Sequence, residues 1–338
     1  MQKLKIAVVT INQPSLNSAC KLVPYLHDYD VDVYGKKDLE HNLDKLNLYN
    51  KIDDILAPAW EAYDAIICIL AMGAVVRKIA PLLKDKSTDP AVIVINLALD
   101  KVVPLLSGHL GGANELSDNI ASRIEGCQNF VSTATDQTKT LAFEMFAKKN
   151  DLEICNLKEL AKVSNSLLNK KEVEVKTYPA IFDTIPNKTN LKLVEEFTSD
   201  LRVNITPFKD ECLTFKPKVY LGIGCNRDTS FKDIEKAFFW FLNKYELEIE
   251  QIANIASFEA KADEKGLLEF AKEYDFEIKF FNEEEINNVD GKFSPSQATK
   301  FFGLKGVSEP SSMLVSKYKE LIIPKEVYEK KITIAGAV

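Results

Sequence analysis

The chain has 338 residues, 43 Lys and Arg against 50 Asp and Glu, and a formal net charge of −7. That length predicts two or three domains, and an apolar fraction of 46% supplies their cores and excludes global disorder. The acid excess excludes a broad electrostatic grip on nucleic acid but leaves room for a local basic pocket holding a small anion. Six scattered cysteines form no CxxC pair, which excludes a disulfide framework or a zinc site, and Cys68, inside an apolar run, reads as a small buried hydrophobe. The N-terminus runs straight into LKIAVVT with no signal-peptide architecture, and no apolar stretch approaches the roughly 18 residues of a membrane span. The expectation is a reduced, cytoplasmic protein without membrane or nucleic-acid partners.

Residues 4–10 form a continuous apolar run, the pattern of a strand buried on both faces. Pro14 suits the first turn of a helix over 14–26, where its missing N–H costs nothing. Further short β-rich runs follow at 31–34, 65–70, 91–96 and 130–133, separated by helical patterns at 53–63, 73–83 and 113–125. Strands alternating with helices predict parallel pairing in an open sheet. From 140 to 215 the pattern weakens: LAFEMFAKKN and LKELAKVSNSLLNK suggest helices, KEVEVK alternates like an exposed or edge strand, and the rest is polar. A second α/β pattern starts at KPKVYLGIGCN, with strands at 219–224, 252–259 and 276–281, helices at 231–244 and 263–274, and a closing strand KITIAGAV. FSPSQATKFFG opens another helix with Ser294 as N-cap and Pro295 at its first position. The fold class is therefore α/β, with open-sheet α/β domains at 1–138 and 217–338 joined by a middle segment at 139–216. Two such domains predict a ligand cleft between them.

The densest polar loop lies within residues 102–121, where Ser107, Gly108, His109, Gly111, Gly112, Asn114 and Glu115 fall inside nine positions. Glycines let backbone N–H groups approach a ligand, and the helix start that follows favours a carboxylate or phosphate. His109 is a candidate acid or base near neutral pH. The bland alternative for a glycine-rich loop alone is a capped strand-to-helix connection. The loop is neither a P-loop nor a dinucleotide fingerprint. A second loop, AMGAVVRK, places Gly73 at a strand-to-helix turn and Arg77 one turn later, a planar fork for a carboxylate unless it is merely solvated. A third, STATD, offers Thr133, Thr135 and Asp136. The expectation is that all three sit at equivalent, carboxyl-terminal strand ends, where open sheets bind ligands. In the second domain GIGCNRD supplies Gly224, Cys225 and Arg227. No base stands near Cys225 in sequence, so structure or substrate contact outranks nucleophilic catalysis there. SFEAKADEKGL places Ser257, Glu259, Lys261 and Glu264 around one turn, either a site or a capping and surface-charge arrangement.

VVRKIAPLLKDKSTDPAVIVIN, PLLSGHLGGAN and STATD, followed in order by VYLGIGCNRDTS, ASFEAKADEKGLLEFA, FSPSQATKFFG and GVSEPSSMLVS, closely resemble the CbiG family, the cobalt-precorrin-5A hydrolases of anaerobic cobalamin biosynthesis. The resemblance covers both ends of the chain; 140–215 is where that family varies most. It implies a hydrolase that opens the δ-lactone of a cobalt corrinoid and expels one ring carbon with its methyl as acetaldehyde. It implies no organic cofactor, cobalt entering as part of the substrate, and it allows transient contact with neighbouring pathway enzymes. On this reading His109 is the general acid or base, Glu115 its alternative or orienting partner, Arg77 and Arg227 hold substrate carboxylates, and Lys261 and Glu264 close the site from the second domain. The N–H groups of 108–112 stabilise an oxyanion. The chain departs from the family at Asn96, where an acid is frequent, at Asn226, where a base is common, and at SEPSS 308–312, which replaces a more alanine-rich segment. Two other classes compete: a corrinoid carrier using the same loops without proton transfer, and a phosphate-ligand enzyme, disfavoured by the missing nucleotide fingerprints.

Overall fold

The apolar run at the start of the chain becomes strand β1 (Lys5–Thr10), and its neighbours explain why it is apolar throughout. Ile6 and Val8 face a core completed by Leu16, Ala19, Leu116 and Ile120, while Ala7 and Val9 face another completed by Leu56, Trp60, Val75 and Ile79. A strand covered on both faces favours apolar residues at every interior position, and the buried Thr10 at its end is accommodated by donating its hydroxyl to the Tyr34 carbonyl at 2.8 Å. The structure, a computed structural model, describes residues 3–41, 45–85, 88–132, 140–294 and 303–338. Two compact units divide the chain, Met1–Lys139 and Thr140–Val338.

In the first unit β1 is followed by α1 (Gln13–Leu22), β2 (Asp30–Lys36), β3 (Asn47–Tyr49), α2 (Asp53–Ala62), β4 (Ala65–Ile69), α3 (Met72–Ile79), β5 (Ala91–Ile95), β6 (Lys101–Leu106), α4 (Ala113–Arg123) and β7 (Gln128–Asn129). The start of α1 is written in its sequence. Asn12 accepts from the Ser15 N–H at 2.9 Å, the Ser15 hydroxyl accepts from the Asn12 N–H at 3.1 Å, and Pro14 sits in the first turn. The sheet order is β3-β2-β1-β4-β5-β6-β7. All pairs are parallel except β5 with β6, which run antiparallel. Residues 102–106, read from sequence as part of a loop, are this returning strand. Pro104 disguises it, and is tolerated because the register shifts beside its partner Ile93. The run at 130–133 is not a strand over its described part: pairing stops at Asn129, and Phe130 is 67% exposed.

In the second unit the polar stretch is more ordered than its sequence suggests. It forms β8 (Glu153–Cys155), β9 (Val173–Thr177), β10 (Leu191–Val194), β11 (Arg202–Ile205) and β12 (Leu213–Lys216), in the order β10-β9-β11-β12-β8, with β8 antiparallel. Helices Phe143–Asn150 and Leu160–Leu168 complete its core. KEVEVK is an internal strand here, not an edge. Glu174 is buried, and its carboxylate accepts from the Thr198 hydroxyl and from the Thr198 and Ser199 N–H groups at 2.6 and 3.0 Å. These bonds hold its pKa below the ordinary glutamate value.

The last sheet contains β13 (Val219–Cys225), β14 (Ile252–Phe258), β15 (Ile278–Phe281), β16 (Leu321–Tyr328) and β17 (Ile332–Ala337), ordered β15-β14-β13-β17-β16. β13, β14 and β15 are parallel and β17 is antiparallel to both its neighbours. Ile322 packs against the cores of both sheets of this unit, and Val338 is buried in the first of them. The proposed helix after Ser294 begins at Pro295, outside the described residues through 302. Ser294 itself donates its N–H and hydroxyl to Glu309 at 2.8 and 3.1 Å. No helix among the described residues is long and apolar enough to cross a membrane.

Candidate functional site

The glycine loop of the first unit closes on itself. Ser107 adopts a left-handed backbone, φ 55°, which costs a non-glycine residue about 1 kcal/mol. Two bonds hold it: its hydroxyl donates to the Asp89 carbonyl at 2.9 Å, and its carbonyl accepts from the Ala113 N–H at 3.1 Å. Gly111 lies against it, since a Cβ there would stand 2.4 Å from the Ser107 Cβ. Gly112 is left-handed at φ 83° and starts α4. Gly108 leaves room for the Asn114 amide, whose oxygen would be 2.7 Å from a Cβ at 108. His109 is half-buried at the apex of this turn, and Glu115 is exposed in the first turn of α4. The Glu115 charge contributes to raising the Tyr29 pKa, an effect led by burial of that phenol.

Two expectations for this loop change. Three of the N–H groups near the helix start are already used: Gly112 donates to the His109 carbonyl at 2.9 Å, Ala113 to Ser107, and Asn114 to the Gly108 carbonyl at 3.0 Å. An oxyanion therefore does not meet a helix start with all its donors open. The loops also do not share one end of the sheet. Gly73 and Arg77 follow β4 at the carboxyl ends of the parallel strands, with an Arg77 Nη donating to the Gly73 carbonyl at 3.0 Å. Because β6 runs backwards, pairing Val102 with Ile95 and Leu106 with Val92, Ser107 emerges at the amino ends. The length of a strand, about 15 Å at 3.3 Å per residue, separates the two loops. Thr133, Thr135 and Asp136 lie outside the described residues. The Asn96 side chain closes the β5–β6 turn, accepting from the Asp100 and Lys101 N–H groups and donating to the Asp100 carboxylate at 2.6 Å.

In the second unit the carboxyl ends of β13 and β14 do share an edge, and the residues there meet. Arg227 pairs with Asp263 and lies 3.8 Å from Glu264, and the Lys261 ammonium is 3.5 Å from the same Glu264 oxygen. Glu264 is 4% exposed and faces two cations. Gly266 permits this closeness: a Cβ there would be 2.2 Å from the Thr229 carbonyl oxygen, so the start of helix Lys265–Glu273 sits directly on the 229–231 backbone. The Cys225 thiol is pushed up to about 11, chiefly by burial, with Lys261 opposing the rise. It is therefore a neutral thiol at pH 7, not a poised nucleophile. Ser257 is fully buried and donates to the Ile223 carbonyl at 2.6 Å, tying β14 to β13. Gly224 makes room for Thr333 on β17, whose hydroxyl would be 2.6 Å from a Cβ at 224.

Asp89 and Glu309 escaped the sequence reading. Asp89 lies between two short apolar runs and Glu309 inside the SEPSS segment, yet both are buried acids that anchor loops. Among the described residues no group of three or more His, Cys, Asp or Glu side chains is placed to hold a metal ion.

The sequence matches two family models, "Cobalamin synthesis G N-terminal" over residues 54–136 and "Cobalamin synthesis G C-terminus" over 219–337. It is 31% identical to a cobalt-precorrin-5A hydrolase of Priestia megaterium, covering 93% of this chain and 90% of that one. A cobalt-precorrin-5A hydrolase of Salmonella typhimurium is 30% identical, covering 77% of this chain and 78% of its own length. The crystal structure of a cobalamin biosynthesis protein G homolog from Sulfolobus solfataricus aligns with a TM-score of 0.42 at 21% identity, covering 99% of this chain and 97% of that one. Two family domains in the same order, and a relative matched along nearly its whole length, settle the assignment: the chain belongs to the CbiG family.

Proposed function

We propose that this chain is a cobalt-precorrin-5A hydrolase, a hydrolase of cobalamin biosynthesis. The observation that carries the reading is the 31% identity to a protein of that name over 93% of the chain. The substrate is a cobalt corrinoid with a carboxylate-rich rim. Water opens its δ-lactone, and the carbon–carbon bond then breaks to release acetaldehyde, with a proton delivered to the macrocycle. Cobalt arrives within the substrate and no organic cofactor takes part. Neither nucleic acid nor membrane is a partner, and contact with neighbouring enzymes of the pathway is transient. Six free cysteines suit the reducing cytoplasm.

His109, at the apex of the glycine loop, serves as general acid or base, with Glu115 as its alternative. N–H groups within residues 108–112 polarise the lactone carbonyl. Arg227 holds a substrate carboxylate, the incoming group replacing Asp263. Lys261 and Glu264 form a proton-carrying pair in the second unit.

The test is acetaldehyde release from cobalt-precorrin-5A under anaerobic conditions by wild type and His109→Ala. The expected result is stoichiometric acetaldehyde from wild type and a rate at least about 100-fold lower for the variant. Equal rates move the acid–base role away from His109. Corrinoid binding by wild type with no acetaldehyde overturns the hydrolase reading in favour of a carrier.

A further inference from the structure

We infer that Asp89 is the positioning residue of the glycine loop, a buried acid that sets where His109 stands by fixing Ser107. The inference rests on the hydrolase reading for its kinetic consequence and on geometry alone for its structural one. Asp89 is 6% exposed. Both carboxylate oxygens accept from the Lys84 N–H, at 3.1 and 3.2 Å, and one also accepts from the Trp60 indole N–H at 3.4 Å. Its own N–H donates to the Asp85 carbonyl at 2.9 Å. The residue is thus tied through its side chain to α2 and to the end of the α3 segment. Its remaining polar group, the carbonyl, receives the Ser107 hydroxyl at 2.9 Å.

From Ser107 the linkage continues through backbone hydrogen bonds. The Ser107 carbonyl accepts from Ala113, Gly108 from Asn114, and His109 from Gly112, so the turn from 107 to 114 is bonded onto its first residue. Ser107 is also the member of that turn with an unfavourable φ, 55° without being glycine, so a tether is needed to hold it there. Asp89 does not touch the reacting groups. It acts through Ser107, and a misplacement of about 1 Å at a reacting group is enough to cost on the order of 100-fold in rate.

The experiment compares Asp89→Ala and Asp89→Asn with wild type, the amide keeping one acceptor oxygen for Lys84 and Trp60. Steady-state acetaldehyde release is expected to show kcat lowered about 100-fold in Asp89→Ala, with KM changed less than about threefold, and at least tenfold of the loss recovered in Asp89→Asn. Amide hydrogen exchange on the same proteins is expected to accelerate at Gly112, Ala113 and Asn114 by about tenfold or more, with β1 and β4 unchanged. A Trp240→Phe background leaves Trp60 the sole tryptophan, and its emission is expected to shift in both Asp89 variants. The inference is overturned if Asp89→Ala keeps kcat within threefold, or if exchange accelerates uniformly across the first unit so that the rate loss only follows unfolding. Should wild type release no acetaldehyde, the hydrolase reading fails, and the exchange pattern still decides for or against Asp89.

Discussion

The two regions that carry the family's motifs are built by opposite means. In the first unit the glycine loop is a backbone construction, with three turn carbonyls each accepting an N–H of the same turn and an acid buried beneath it. In the second, the motif residues are charges paired with one another, Arg227 with Asp263 and Lys261 with Glu264. Glycine serves both regions differently. Gly112 supplies a left-handed turn, whereas Gly222 and Gly266 let one backbone rest on another. The first region presents shape, while the second presents charge, of which the exposed Arg227–Asp263 pair is screened by salt.

The sharpest way to break this contrast is to add one methyl group. A Cβ at Gly222 would stand 1.8 Å from the Ser308 carbonyl oxygen and 2.8 Å from the Ser312 nitrogen, so helix Ser308–Val315 must lift from β13. Gly222→Ala is expected to cost about 3 kcal/mol or more in urea unfolding. Gly126→Ala meets nothing within 4 Å and pays only for its φ of 76°, about 1 kcal/mol. Equal losses for the two variants would mean that the helix is not seated on β13 and that glycine acts in both regions through conformation alone.

The same contrast explains what the sequence disclosed. Strands covered on both faces, such as LKIAVVT and AVIVIN, were legible because burial on both sides favours apolar residues at every interior position. The direction of β6 was not, because pairing direction is a long-range choice that leaves no periodicity, and it alone moved the glycine loop to the opposite end of the sheet. KEVEVK misled because Glu174 looks like a solvated alternation. The loop at 198–199, more than twenty residues away, supplies donors that allow its burial. Motif residues were legible as types, but their packing partners were not: Ser257 bonds to the Ile223 carbonyl, and Gly224 makes room for Thr333. Asp89 was missed because a buried acid differs from a surface acid only by its partners.

A smaller effect probes the seat of that same helix. The Ser308 and Ser311 hydroxyls are buried there, and neither has a hydrogen-bond partner among the described residues. An unsatisfied buried hydroxyl costs stability that a methyl group would not. Ser311→Ala is expected to raise the unfolding free energy by about 1 kcal/mol, measured in the same urea series. A loss instead would mean that the hydroxyl is satisfied in solution and the seat is looser than the close approach at Gly222 implies.

The smallest expected effect lies at Cys225, where the charged region borders the buried one. Its thiol is pushed up to about 11 by burial, and Lys261 and Arg227 only moderate the rise. A thiol of that kind is almost wholly protonated at pH 7, and thiolate is the form that reacts with iodoacetamide. Alkylation of Cys225, followed by peptide mapping, is therefore expected to be slow at pH 7 and to climb about tenfold per pH unit until the thiol titrates. Cys225→Ser is expected to keep acetaldehyde release within about twofold, since no covalent step passes through the sulfur. Rapid alkylation at pH 7 together with loss of turnover in the serine variant would reverse the order of forces. The cations would then outweigh burial, and the second region would supply a nucleophile instead of a grip on carboxylates.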